Sequence, residues 1–328
     1  MFTIVGQGLA GSCLAWELWK RKAPFQLIER EQGGSSHVAA GLINPVTGKN
    51  FEPSPGIAKF LPLAMDFYGE LEARFESALW HPLPILRLAQ GEKQWDKMQA
   101  KAKLPEVARW IEDGPTPMVD NDWWGRVVLH SGGRLDTKAF LEQSREFFRE
   151  QGCYQQGELA IHDAPSNTVW CEGAVGLMAN RYGKHRCAKG EILTVQAASW
   201  QENVIRIGAG GWLIPIGNHR FKVGATYEWN DLDNEPTEKG RKQSEMLANQ
   251  LGGPDFEIID HQAGIRPILR RSQPLIGPFG NPENGQWMFN GLGSKGSLYA
   301  PGMAKELAAW LIDGREAHPK YDIRKFEG

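Results

Sequence analysis

Cysteine is scarce in this 328-residue chain. There are four, Cys13, Cys153, Cys171 and Cys187, none in a C-x-x-C pair and none beside histidines at zinc-ligand spacing. That distribution argues against a disulfide framework, a dithiol redox pair or a zinc site, and fits buried thiols in a reducing compartment. His130, His219 and His261 form no cluster either, so no metal is expected. An excess of either charge is also missing: 37 Lys+Arg against 39 Asp+Glu leave a formal net charge of −2. Nucleic acid therefore exerts no general pull on the chain, although a local basic patch stays open. No apolar run approaches the ~18 residues of a bilayer span, so no membrane partner is expected. The first cationic residue is Lys20, and glycines at 6, 8 and 11 interrupt the apolar opening. The basic start of a secretion signal is thus lacking, and a cytoplasmic protein is expected. No internal repeat or low-complexity segment is present.

What is present is a chain long enough for two domains, 41% hydrophobic and 23% charged, the profile of a globular protein. The thirteen tryptophans assign no function by themselves. The opening segment does carry chemistry. Phe2–Val5 reads as a buried parallel strand, Gly6-Gln7-Gly8-Leu9-Ala10-Gly11 is a G-x-G-x-x-G turn, and Ala10, Leu14 and Leu18 share one helical face. A second strand, FQLIER, then reaches Glu29, 18 residues after Gly11. Strand, glycine turn, helix, strand and terminal acid together form the fingerprint of an ADP-containing cofactor site. Gly6 permits the tight turn, Gly8 lets backbone approach a pyrophosphate, and Gly11 lets the helix pack closely on the strand. The helix N-terminus supplies N–H groups to phosphate, and Glu29 suits the ribose hydroxyls. That acid disfavours a 2′-phosphate, although Arg30 is adjacent.

A second glycine-rich turn lies near the other end. Strand-like WMFN leads into Gly291, Gly293 and Gly296, followed by a helix with Met303, Leu307 and Leu311 on one face and Gly314 at its end. Backbone N–H groups of 293–297 at such a helix start could stabilise negative charge on a bound cofactor. A fold for NAD alone has no need of this second site.

SSHVAAGLINP (35–45), VWCEGAVG (169–176), KGEILTVQ (189–196), GGWLIPIGNHRFKVGATYEW (210–229), AGIRPILRRSQPLIGP (263–278) and FNGLGSKGSLYAPGMAKELAAWL (289–311) follow one another in order. These segments resemble the D-amino acid oxidase superfamily of FAD enzymes, especially its glycine oxidase-like members and the FAD domain of the bifunctional enzyme that modifies the tRNA wobble uridine. The resemblance spans residues 1 to about 312. It implies an α/β architecture: a Rossmann-like FAD-binding domain split in sequence (1–60, 131–180 and 262–328) and an inserted mixed-sheet α+β substrate domain (61–130 and 181–261). Some relatives attach FAD through a cysteine soon after the R-P element. No cysteine follows Cys187 here, which implies noncovalent FAD. Besides both glycine turns, Ser36 and Gly41 in the small-residue segment, and Ser294, Lys295 and Ser297 in the second turn, are expected at the cofactor.

The resemblance further implies oxidation of the C–N bond of a small amine or amino acid, with hydride transfer to flavin N5, hydrolysis of the imine, and reoxidation by oxygen or another acceptor. Arg266, in GIRP, stands where glycine oxidase-like relatives bind the substrate carboxylate, which a guanidinium can grip bidentately; a structural arginine pairing within the substrate domain is the plainer alternative. Lys295 either supports the anionic reduced flavin or points to solvent. Asn44, Tyr227 and Trp212 are candidates for the pocket wall. Arg270 and Arg271 are extra cations, where relatives usually have an aspartate near the second; they either mark a more acidic substrate or form a solvated rim. Two further functions stay open: an oxidase acting on a carboxymethylamino group of tRNA, and a flavin-binding protein without catalysis. Between the motifs, 56–80, 92–112 and 235–251 are expected as helices, HPLPILRLA (81–89) and RVVLH (126–130) as strands, Pro115 and Pro117 in a loop, and Asp136 as the N-cap of a helix bearing Phe140, Leu141, Phe147 and Phe148.

Overall fold

A computed structural model describes residues 1–30, 34–118, 123–182, 185–269, 273–280 and 285–326. Strand β1 (Phe2–Val5) has too few polar residues to face water and is paired on both sides, in parallel, by β2 (Phe25–Glu29) and by Thr168–Trp170. These belong to a six-stranded sheet in the order Tyr154–Gln156, β2, β1, Thr168–Trp170, Gln286–Asn290, Leu275–Pro278. All neighbours are parallel except the last pair. Parallel pairing aligns the carboxyl ends of five strands, at Val5, Glu29, Gln156, Trp170 and Asn290. Their turns therefore open at one edge, where α/β sheets bind ligands.

Helix α1 (Leu9–Lys20) and the C-terminal helix Gly296–Asp313 pack against each other. Ala10, Ala300 and Ala304 keep both surfaces thin, while Leu14, Leu18, Met303 and Leu307 are buried. The helix closes at Gly314 with φ 68°. A third helix, Thr137–Glu150, begins where Asp136 accepts a hydrogen bond from the Ala139 N–H at 3.0 Å. It buries Phe140, Leu141 and Phe148, and Phe147 stacks on Trp16 with ring centroids 4.6 Å apart.

An eight-stranded sheet forms the second layer, in the order Glu257–Arg266, Ala188–Gln196, Arg220–Gly224, Gly211–Gly217, Ile205–Gly208, Ile85–Ala89, Gly125–Leu129, Ile111–Pro117. Several local expectations change here. The helix expected over 92–112 is Glu92–Ala102 followed by a short turn at Pro105–Ala108, because the residue before a proline resists helical geometry. Pro115 and Pro117 lie not in a loop but in Ile111–Pro117, an edge strand with register shifts, where a missing N–H costs little. HPLPILRLA contributes to two strands, Trp80–Pro82 and Ile85–Ala89, which join different sheets across Leu83 and Pro84. The first long helix is Ile57–Phe75 and ends at Glu76 with φ 53°. The helix near 235–251 is Glu238–Gly252, capped by the Thr237 hydroxyl.

Candidate active site

Gly6 takes φ +101°, and a Cβ there would meet the Cys171 carbonyl oxygen at 2.6 Å. A Cβ on Gly11 would stand 1.8 Å from the Gly6 oxygen, so α1 rests on the turn itself. Gly8 faces Ser36, whose Oγ accepts the Leu9 N–H at 3.2 Å. The Gly8 and Ala10 N–H groups have no partner among the described residues, both residues line the large cavity, and no acid sits in the first turn of α1. This is a cradle for an anion at a helix start.

Glu29 closes the cradle on one side but is not free. Its Oε2 accepts from Arg145 Nε and the Tyr154 hydroxyl, both at 3.2 Å, and His37 Nε2 lies 3.8 Å from Oε1. Burial acts to raise its pKa, but His37, Arg145 and Tyr154 outweigh that and hold the carboxylate below its ordinary range. Its charge is therefore secure at neutral pH. Across the sheet edge, Asn290 Nδ2 donates to the Gly173 carbonyl at 2.9 Å, and its Oδ1 accepts the Gly291 N–H at 2.8 Å. One amide thus ties the turn after Thr168–Trp170 to the second glycine turn.

In that second turn the Gly293 N–H is taken by the Pro267 carbonyl and the Lys295 N–H by that of Leu292. This narrows the expected set of donors: the N–H groups of Ser294, Gly296 and Ser297 have no partner among the described residues. Lys295 itself is the N-cap residue of the C-terminal helix. Its ammonium lines the cavity without an ion-pair partner among the described residues, and burial lowers its pKa.

The cavity, of about 1650 Å³, runs from the carboxyl edge of the parallel sheet onto one face of the eight-stranded sheet. It exceeds the roughly 300–1,000 Å³ of ordinary ligand pockets, leaving room for a dinucleotide and a second molecule. Cross-strand register defines its floor. Gln262, Ile192, Gly224, Trp212, Ile207 and Arg87 form one row across the sheet. Gly264 and Gly190 pair one step further along, and Arg266 follows. Alternation puts all of these on the same face. The Arg266 guanidinium lies directly over Gly190, where a Cβ would meet its Nη2 at 2.1 Å, and Ser35 and Val38 lie over Gly264; the floor is apolar at Ile192, Trp212 and Ile207 and carries Arg266 and Arg87 at its two extremes.

Arg266 donates from Nη1 to the Lys189 carbonyl at 3.3 Å and from Nη2 to the Thr226 carbonyl at 3.1 Å. Its guanidinium lies 4.0 Å from the centroid of the Tyr227 ring. Burial lowers its pKa, partly offset by Tyr227. No carboxylate pairs with it among the described residues; its partners there are the two carbonyls and the Tyr227 ring. Neutral carbonyls and a ring face hold the fork in place.

Arg30, Ser36, Gly41, Asn44, Trp212 and Tyr227 also line the cavity. Gly11 and Gly291 do not; they shape the turns from behind, Gly291 with φ 78° and no room for a Cβ beside Leu269. Asn44 uses its Oδ1 to accept the Val46 N–H at 3.2 Å, and Tyr227 is half-exposed at the mouth, stacked on Trp229. Arg270 and Arg271 lie outside the described residues. Three cavity residues carried no local signal in the sequence, Glu172, Asn290 and Arg87, and neither did Arg145, which pairs with the cavity residue Glu29. Glu172 binds Arg181 at 2.6 Å, yet burial raises its pKa.

Residues 1–310 match the family model "FAD dependent oxidoreductase" (DAO). The chain is 22% identical to glycine oxidase of Pseudomonas aeruginosa, covering 95% of this chain and 94% of that protein. It is 21% identical to the tRNA 5-methylaminomethyl-2-thiouridine biosynthesis bifunctional protein of Marinobacter nauticus, covering 93% of this chain and 54% of that protein, so the chain spans about half of that relative. Among solved structures, glycine oxidase from Geobacillus kaustophilus superposes with a TM-score of 0.80 at 20% identity, over 100% of this chain and 99% of that one. Iminodiacetate oxidase from Chelativorans sp. gives 0.79 at 18% identity, over 98% of each. The anion cradle, the paired glycine turns and the family match converge: the chain belongs to the DAO family of FAD-dependent oxidoreductases, and FAD is its cofactor.

Proposed function

We propose that the protein oxidises the C–N bond of an amine that bears a carboxylate, an amino acid or N-substituted glycine. The observation that carries this reading is Arg266: a largely buried guanidinium, lining the cavity, fixed by two carbonyls and Tyr227, with no carboxylate partner among the described residues. A buried cation without a counter-charge is costly, and a carboxylate ligand removes that cost with two charge-assisted hydrogen bonds. FAD, when bound, supplies the two-electron acceptor. The chain's residues do the rest. Arg266 orients the donor by its carboxylate; Ile192, Trp212 and Ile207 exclude water along the floor; the Ser294, Gly296 and Ser297 N–H groups and Lys295 favour negative charge beside the second turn. The donor loses a hydride and a proton to become an imine, and water hydrolyses the imine to a carbonyl compound and an amine. Segments 1–60, 131–180 and 262–328 form the FAD-binding unit in this reading, and 61–130 and 181–261 the substrate unit.

The test is anaerobic mixing of the FAD-loaded protein with a panel of amino acids and N-alkyl glycines. Bleaching of the flavin absorbance by at least one donor is expected; a flavin that no donor reduces would overturn the reading. The similarity to the bifunctional tRNA-modification protein favours a second reading, in which the carboxylate-bearing amine is carried on tRNA. Binding of tRNA that weakens steeply with salt would support it, and no binding at low salt would exclude it.

A further inference from the structure

At the end of the cavity floor opposite Arg266 stands a second guanidinium that the oxidation does not use. Arg87, on Ile85–Ala89, is only 8% exposed and lines the same cavity. Its Nη2 donates to the Gly48 carbonyl at a long 3.3 Å, and its buried Nε has no hydrogen-bond partner among the described residues. No carboxylate pairs with it among the described residues, and burial pulls its pKa down to about 10. Lys49, Lys93, Lys97 and Glu92 line the same cavity. A buried donor left unpaired costs free energy that a bound anion recovers.

We propose that Arg87 is the core of a second anion subsite, which takes a carboxylate or phosphate at the distal end of an extended donor whose amine-side carboxylate sits on Arg266. This rests on the Arg266 reading above. The register fixes the geometry. Arg87 and Gln262 lie five strands apart in one cross-strand row, and Arg266 is four residues beyond Gln262. At ~4.8 Å between strands and ~3.3 Å per residue, roughly 25 Å of sheet surface separates the two arginine backbones. Even with both side chains extended inward, a compact dicarboxylate cannot touch both. The surface between them is the apolar stretch of Ile192, Trp212 and Ile207. The donor class is therefore an N-substituted glycine with a long, largely apolar or flat N-substituent ending in an oxyanion.

The probes are (alkylthio)acetic acids, R–S–CH2–COOH, in which sulfur replaces the oxidisable nitrogen, with alkyl chains of increasing length ending in a methyl, a carboxylate or a phosphonate. Their dissociation constants for the oxidised, FAD-loaded protein are measured by calorimetry. Beyond a threshold length, the charged ends should bind about tenfold or more tighter than the methyl end. Arg87→Gln should collapse that ratio toward one, and Arg87→Lys should retain part of it. Carboxylate and phosphonate arms show which oxyanion fits. A ratio near one at every length, or an unchanged ratio in Arg87→Gln, would overturn the subsite. Should Arg87→Gln not retain FAD, the length series on the unmodified protein decides alone. Arg266→Ala should weaken all probes alike. A flavin that no amine reduces would sink the oxidation reading while leaving this ratio to be read.

Discussion

Lys295 and Arg266 show how single residues are used at cost. Both ammonium and guanidinium are pushed toward neutrality by burial, and neither has a carboxylate partner among the described residues. For Lys295 the consequence has a definite sign. Its folded-state pKa lies below the unfolded value of about 10.4, so the penalty is full below the folded pKa and vanishes above the unfolded one. Stability of the FAD-free protein should therefore rise with pH through that alkaline window. Lys295→Met should flatten the rise and leave the neutral-pH thermal midpoint no lower than the parent. It should also slow flavin reduction, by about a hundredfold if the cation acts like an oxyanion-hole donor. A lowered midpoint with unchanged reduction kinetics would place Lys295 in the fold rather than the chemistry.

Helix starts and strand ends did most of the positioning at the next scale. Asp136 caps Thr137–Glu150 through the Ala139 N–H, and that helix carries Arg145 to Glu29. Asp136→Ala should cost about 1 kcal/mol, read as a lower denaturant midpoint with an unchanged slope; no change would mean the cap is dispensable. Elements of this kind were legible in the sequence because their signals are local. The G-x-G-x-x-G turn, Asp136 and Gly314 each sit within a few residues of what they control. Arg87, Arg145 and Asn290 were not legible. Arg87 meets Gly48, Arg145 meets Glu29 and Asn290 meets Gly173 across 39, 116 and 117 residues of chain, and no local pattern encodes such a meeting. Pro115 and Pro117 misled for a related reason: proline excludes a central strand, and only the sheet order places Ile111–Pro117 at an edge.

The whole molecule is a parallel sheet whose carboxyl edge opens onto the face of a second sheet, with one cavity spanning both. Linkage makes that arrangement measurable. FAD held at a hundred times its dissociation constant should stabilise the protein by about 2.7 kcal/mol, seen as a thermal midpoint that climbs with FAD concentration. Gly11→Ala, whose Cβ would strike the Gly6 oxygen, should abolish that climb and cost about 1–3 kcal/mol by overpacking; a normal climb would mean the turn is not the phosphate cradle. In the other layer, Arg266 is the residue proposed to take the donor's carboxylate. The most direct test of that role is the donor concentration that half-bleaches the flavin under anaerobic conditions, in the parent and in Arg266→Ala. An increase of about tenfold to a hundredfold is expected, from the loss of charge-assisted hydrogen bonds, with FAD content intact. An unchanged half-bleaching concentration would contradict it.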